Sequence, residues 1–288
     1  MTLKHGSAGE ASLLISSPDR KGLVAAISTF LYERGANIID ADQHQDRQLG
    51  LFFMRLTWEL ADFSVDEARF RREFEPLASQ LQLTWDLAFP ARRPRVAIFV
   101  SRDLHCLVDL LHRQQAGEIA CEIPLIISNH PDAAAIAGHY EIPFIQEGDE
   151  ARQLELLARP EVDAVDEVDL VVLARYMQIL SPRFVAAWKG RIINVHHSFL
   201  PAFTGARPYH AALHRGVKII GATAHYVTEE LDQGPIIEQE VMRVSHRDQL
   251  EDLIQKGRDL ERLVLARAVR WHLERRILLY ANKTVIFD

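Results

Sequence analysis

The side chains here whose types and spacing most invite chemistry are an amide, an imidazole and a carboxylate. Asn194 and His196 stand two apart in Asn194-Val195-His196-His197-Ser198-Phe199-Leu200-Pro201, and Asp232 follows in Leu231-Asp232-Gln233-Gly234. Together they could hydrolyse or transfer an acyl group without a metal. The Asn194 amide can donate to the oxyanion of a tetrahedral intermediate. His196 can shuttle a proton to a leaving nitrogen, and Asp232 can orient that imidazole or hold an attacking water. If the segment is a strand, Asn194 and His196 share a face and reach one bound atom, while Val195 and His197 face elsewhere. Each residue taken alone has a plainer reading: a strand-end cap, a satisfied polar group, or turn chemistry before Gly234.

The elements that would carry the trio read as alternating strands and helices. Arg95–Val100 is a continuous apolar run of strand length, as expected of a parallel strand buried on both faces. Helical spacing follows over 104–113, then a strand at 122–127, a short helix near 133–140, a strand at 142–145 and a helix at 149–157. Strands at 169–173 and 191–195 come next, then strands at 217–227 and 235–244, a long helix over 248–275 and a closing hairpin turning at 281–283. Alternation of this kind predicts βαβ units and a Rossmann-like, mostly parallel α/β domain over 91–288. Ligands bind such sheets beyond the carboxyl ends of their strands, and Asn194 and His196 lie at one such end.

Residues 1–90 read differently. A strand at 11–16, a helix carrying Leu23, Ile27, Phe30 and Leu31, and strands at 37–45 and 51–60 lead to a helix at 65–80 and a strand at 83–88. That βαββαβ order is ferredoxin-like. Gly35 stands where the first helix needs a left-handed residue to end. A linker, Phe89-Pro90-Ala91-Arg92-Arg93-Pro94, reads as an extended connection between the domains.

Composition removes several function classes. The 288 residues carry 33 Lys and Arg against 40 Asp and Glu, a net charge of -7, with no basic cluster of the kind nucleic acid or an anionic membrane requires. No apolar run approaches the ~18 residues of a membrane span and no secretory signal opens the chain, so a cytoplasmic protein is expected. Cys106 and Cys121 fit neither a zinc ribbon nor a redox pair and read as buried thiols. His210 and His214 are four apart on a helix, but Ala211 follows the first where a metalloprotease has glutamate. They flank the site entrance or are solvated; His225, on an apolar strand, reads as a hydrogen-bonded core residue. No metal and no cofactor is expected.

In combination the spacings carry a resemblance. Asn194-x-His196-x-Ser198-x-Leu200-Pro201, Gly221-x-Thr223-x-His225 and Asp232-x-Gly234-Pro235-Ile236-Ile237 resemble, in that order, the formyltetrahydrofolate-dependent formyltransferase fold over residues 95 to about 275. The resemblance implies Asn194, His196 and Asp232 as catalytic residues. It also implies folate contacts from Met177, Gln178, Ile179 and Leu180 in the segment 176–181, from Ser198, and from Glu229, Glu230 and Leu231. Pro18-Asp19-Arg20-Lys21-Gly22-Leu23-Val24 and Arg34-Gly35-Ala36-Asn37-Ile38 are similar to an ACT domain, which implies amino-acid effectors at Asp19, Gly22 and Asn37.

Two departures narrow the resemblance. Where relatives acting on glycinamide ribonucleotide carry a glycine-rich phosphate turn, this chain has Ser101-Arg102-Asp103-Leu104-His105-Cys106, with no glycine. The second domain lies before the catalytic one, not after it as in methionyl-tRNA formyltransferases. With neither amine acceptor provided for, water is the expected nucleophile, and the chain resembles the formyltetrahydrofolate deformylase family across both domains. That resemblance implies hydrolysis of 10-formyltetrahydrofolate as substrate, formate supply to purine biosynthesis and balance of one-carbon pools, control by methionine or glycine, and a homo-oligomer. Transfer to an amine, or an inactive amino-acid sensor, are the competing readings.

Overall fold

A computed structural model of the chain describes residues 9–89, 92–158, 168–201 and 208–288. Pro90 and Ala91 of the expected linker lie outside the described residues. The chain separates into two compact units, one of residues 1–92 with 275–280 and 285–288, the other of 93–274 with 281–284.

In the first unit the elements run β1 (Glu10–Pro18), α1 (Leu23–Tyr32), β2 (Asn37–Asp46), β3 (Leu51–Glu59), α2 (Glu67–Leu81) and β4 (Thr84–Ala88). They form an antiparallel sheet in the order β2-β3-β1-β4, the ferredoxin-like arrangement. Strand alternation divides the apolar side chains between two faces. Leu13 and Ile15 of β1 and Met54, Leu56 and Trp58 of β3 pack under the helices with Ile27, Leu31, Phe70 and Phe74. α1 presents Leu23, Ile27, Phe30 and Leu31 to that core, and Gly35 adopts φ 80°, as the end of a helix demands.

The opposite face of this sheet accounts for a departure from the expected division at residues 90 and 91. Leu14 and Phe53 point away from the helices and pack with Leu278, Val285 and Phe287. The closing hairpin, β12 (Ile277–Tyr280) and β13 (Lys283–Ile286), therefore belongs largely to the first unit and not to the second. Apolar alternation in β1 and β3 left two faces to bury, and the two helices cover only one.

The second unit runs β5 (Arg95–Val100), α3 (His105–Gln115), β6 (Glu122–Ser128), a short 3₁₀ turn, α4 (Ala134–His139), β7 (Phe144–Gln146), α5 (Glu150–Ala158), β8 (Leu170–Leu173), α6 (Pro182–Ala187), β9 (Ile192–His196), α7 (Pro208–Arg215), β10 (Ile219–Tyr226), β11 (Ile236–Arg243) and α8 (Leu250–Leu273). Its seven strands are ordered β11-β10-β9-β8-β5-β6-β7, parallel from β7 to β9 and antiparallel from β9 to β11. β5 is buried along its whole length, as its apolar run requires. From β5 the chain moves outward to β6 and β7, then returns to place β8 on the other side. The topological switch point therefore lies between β5 and β8, where open sheets of this kind form a ligand crevice. α6 was not read from the sequence; Ser181 caps it, accepting from the Phe184 backbone N–H, with Pro182 in its first turn.

Candidate active site

Register brings the predicted residues together. Asn194 pairs with Leu173 of β8 on one side and with His225 of β10 on the other, and His196 pairs with Thr223. Because paired residues share a face, Asn194, His196, Thr223 and His225 line one side of the sheet at the end of β9. Asp232 comes to them from the loop after β10 with φ 56°, a left-handed conformation that aspartate tolerates better than most residues.

Asp232 and His196 form the centre of the site. His196 Nδ1 lies 3.3 Å from Asp232 Oδ2, and the imidazole is buried. A hydrogen bond accepted from His196 holds the Asp232 carboxyl below its ordinary pKa, against the opposing effect of burial, so it stays ionised. A carboxylate facing Nδ1 selects the tautomer protonated there. Nε2 is then the basic nitrogen, and it is buried with no hydrogen-bond partner among the described residues.

The Asn194 amide is oriented by a residue whose part in the site sequence reasoning missed. His225 is 2% exposed, and its Nδ1 lies 2.9 Å from the Tyr226 carbonyl, which can only accept. Burial lowers its pKa and keeps the ring neutral, so Nδ1 donates and Nε2 accepts from Asn194 Nδ2 at 3.2 Å. One amide N–H is thereby anchored and the other remains for a ligand. The expectation of a hydrogen-bonded core residue describes the burial of His225 but not this part. Its signal was the alternation Gly221-x-Thr223-x-His225, which puts all three on one face. We expect His225→Leu to lower kcat about tenfold, the scale of one orienting hydrogen bond, with KM little changed. In the wild type, acidification through the lowered pKa of His225 protonates the accepting nitrogen, so the rate should show an acid limb below the ordinary imidazole range. Asp232 and His196 are the other titratable groups facing this ring. A pH–rate profile of His225→Leu that keeps the same limb would remove His225 from it.

The folate contacts implied by resemblance fall into two loops and a buried position. Met177, Gln178 and Ile179 are exposed beyond β8, and Leu180 is half-buried. Their loop is held from beneath: the Met177 N–H donates to Ser101 Oγ, the Tyr176 hydroxyl donates to Gln178 Oε1, and the Ser181 N–H donates to Glu150. Glu229, Glu230 and Leu231 are exposed in the loop that carries Asp232. Ser198 is buried, its carbonyl accepting from Thr223 Oγ1. The His197 ring lies beside that of His196, tilted by 31° with ring centroids 4.9 Å apart. His210 and His214 are exposed on α7. Cys106 and Cys121 are buried free thiols.

In the first unit Asp19 and Gly22 line an open groove of about 610 Å³ with Arg20, Gln43, His44 and Phe52. Asn37 is not among its lining residues; its amide donates to Glu59 across the β2–β3 pair.

A formyl transferase family model matches residues 94–269, and an ACT domain model matches residues 11–57. A formyltetrahydrofolate deformylase of Synechocystis sp. is 54% identical, over 96% of this chain and 98% of its own length. The chain belongs to the formyltetrahydrofolate deformylase family. Membership extends to the architecture: the crystal structure of a formyltetrahydrofolate deformylase from Pseudomonas syringae pv. tomato superposes with a TM-score of 0.91 at 44% identity, covering 99% of this chain and 97% of that one. A glycinamide ribonucleotide transformylase from Symbiobacterium toebii matches at a TM-score of 0.62 and 29% identity, covering 70% of this chain and 98% of that one. A deformylase and an amine-directed transferase thus share the catalytic fold.

Proposed function

We propose that the chain hydrolyses 10-formyltetrahydrofolate to tetrahydrofolate and formate. The observation that carries the mechanism is the buried His196 Nε2, without a hydrogen-bond partner among the described residues, on the same face as an amide already anchored through His225. Asn194 donates its second N–H to the formyl oxygen as that oxygen gains charge. A water oxygen forms the new bond to the formyl carbon, His196 Nε2 takes the water proton, and the C–N10 bond breaks as the proton passes to N10. Asp232 keeps His196 in the required tautomer and stabilises the imidazolium. The reading uses no metal and no cofactor. Exposed apolar Met177, Ile179 and Leu231, at 59%, 77% and 61%, suit a flat aromatic ligand between the two loops.

The groove in the first unit is proposed to take a free amino acid such as methionine or glycine, with Asp19 facing its ammonium group. The cytoplasm, a homo-oligomer and formate supply to purine biosynthesis complete the proposal. No helix among the described residues is long and apolar enough to cross a membrane. The test is formate release from 10-formyltetrahydrofolate with no amine present, repeated with methionine and glycine titrated in. Folded protein that releases no formate under any of these conditions would overturn the hydrolase reading. Asp19→Ala should abolish the effector response and leave the effector-free rate unchanged; a retained response would move the effector elsewhere.

A further inference from the structure

At the switch point between β5 and β8, five side chains from five elements converge outside the groups that do the chemistry. Asp103 comes from the turn after β5, His105 from the first position of α3, Arg175 from the end of β8, Tyr209 from α7 and Glu261 from α8. Glu261 is 1% exposed and accepts from His105 Nε2 at 2.7 Å and from the Tyr209 hydroxyl at 2.8 Å. Arg175 Nε lies 3.5 Å from the same carboxylate, and Arg175 Nη2 reaches Asp103 at 3.3 Å.

Several features mark this cluster as more than a stability device. Arg175 has φ 62°, a left-handed conformation that strains a residue carrying a Cβ. Its Nε–H and Nη1–H are buried without a hydrogen-bond partner among the described residues. A buried ion pair with unmet donors stabilises a fold little, and an apolar replacement would often do better. Gly257 lies one helical turn before Glu261, and a Cβ there would stand 2.0 Å from the Tyr209 hydroxyl. A glycine in the middle of a 24-residue helix is unfavourable locally, and here it is what lets Tyr209 reach Glu261. A metal does not explain the set, although His105, Cys106 and Glu261 are close enough to share one. Glu261 already serves two donors beside a guanidinium, and burial keeps Cys106 a thiol.

The sheet row connects this cluster to the catalytic groups. The Ser101 N–H donates to the Arg175 carbonyl, so the β5 turn and the end of β8 lie side by side, and β9 with Asn194 is the next strand. Tyr209 also lies 6.3 Å, ring to ring, from His197, whose ring neighbours His196. The cluster thus stands beside the strand that carries Asn194 and, through His197, beside His196.

We propose that the Asp103–Arg175–Glu261–His105–Tyr209 cluster determines acceptor specificity, filling the switch-point crevice so that water, and not an amine, reaches the formyl carbon. The inference rests on the hydrolase reading. With the crevice open, an amine nitrogen would form the new bond to the formyl carbon as the C–N10 bond breaks. The proton lost by the amine would go to N10, and no further reactant is needed.

The test uses the full-length protein, formyl-labelled 10-formyltetrahydrofolate and glycinamide as the probe amine, with formate and N-formylglycinamide quantified together. Arg175→Gly removes the guanidinium at a position whose φ suits glycine. It should raise the ratio of formylglycinamide to formate over wild type by about tenfold or more, the scale on which pocket access discriminates ligands. Wild type already forming formylglycinamide at the variant's ratio, or a folded variant that releases formate with no rise in the ratio, would overturn the proposal. If Arg175→Gly does not fold, His105→Ala opens the same cluster from α3 and is judged on the same ratio. Wild type releasing no formate without amine would instead sink the hydrolase reading, which separates the two failures.

Discussion

An alanine at position 196 is expected to slow formate release by about 10²- to 10⁴-fold, the usual contribution of a positioned general acid and base. The imidazole is buried with one nitrogen facing Asp232 and the other without a hydrogen-bond partner among the described residues, which leaves that nitrogen to take the proton of the reaction. Asp232→Asn tests the other half of the pair. An asparagine there offers His196 no negative charge and can turn an N–H toward Nδ1, favouring the tautomer that protonates Nε2 and blocks it as a base. The single replacements should not add. Once either member is lost the pair no longer works as a unit, so the double variant should be about as slow as the slower single one. Single-turnover rates, with folate binding measured separately by fluorescence, check this. Near-wild-type turnover in His196→Ala would remove His196 from the mechanism, and full additivity would mean that the two residues act apart.

The shared face of Asn194 and His196 could be read in the sequence because its determinants are local. Asn194 and His196 share a strand, and alternation alone places them on one face. His225 was harder to read. Its part depends on β10 pairing antiparallel to β9 in a register that sets position 225 opposite 194. Such register follows from long-range pairing that no local pattern encodes. The Glu261 cluster was harder still, since its members are spread from position 103 to position 261 and come together only through the strand order at the switch point. The glycine-free turn at 101–106 signalled a missing phosphate cradle, but not what stands in its place. The same reasoning explains the closing hairpin. Its strand pattern was legible, whereas its assignment to the first unit depended on which sheet still had an uncovered apolar face.

The loop bearing Asp232 depends on one glycine for its course. A Cβ on Gly234 would lie 1.7 Å from the Tyr226 carbonyl oxygen and 2.9 Å from its carbon. That obstacle is backbone, which cannot rotate aside as a flexible side chain would. The Tyr226 N–H also donates to the Pro235 carbonyl, and the Tyr226 carbonyl accepts from His225 Nδ1. Gly234→Ala must therefore move either the loop or the end of β10. Moving the loop pulls Asp232 from His196, and moving the strand end disturbs the acceptor that orients Asn194. We expect the variant to lose stability by about 1–3 kcal/mol, the usual range for forcing extra atoms into a packed site. Its activity should fall by more than that loss accounts for, at least tenfold even where the protein is folded, because a displacement near 1 Å at a catalytic group can cost about 10²-fold. Denaturant melts combined with kinetics on the folded fraction separate the two effects. A variant with wild-type turnover and an unchanged melt would show that the backbone relaxes without disturbing Asp232, and the close approach at Gly234 would then play no part in the chemistry.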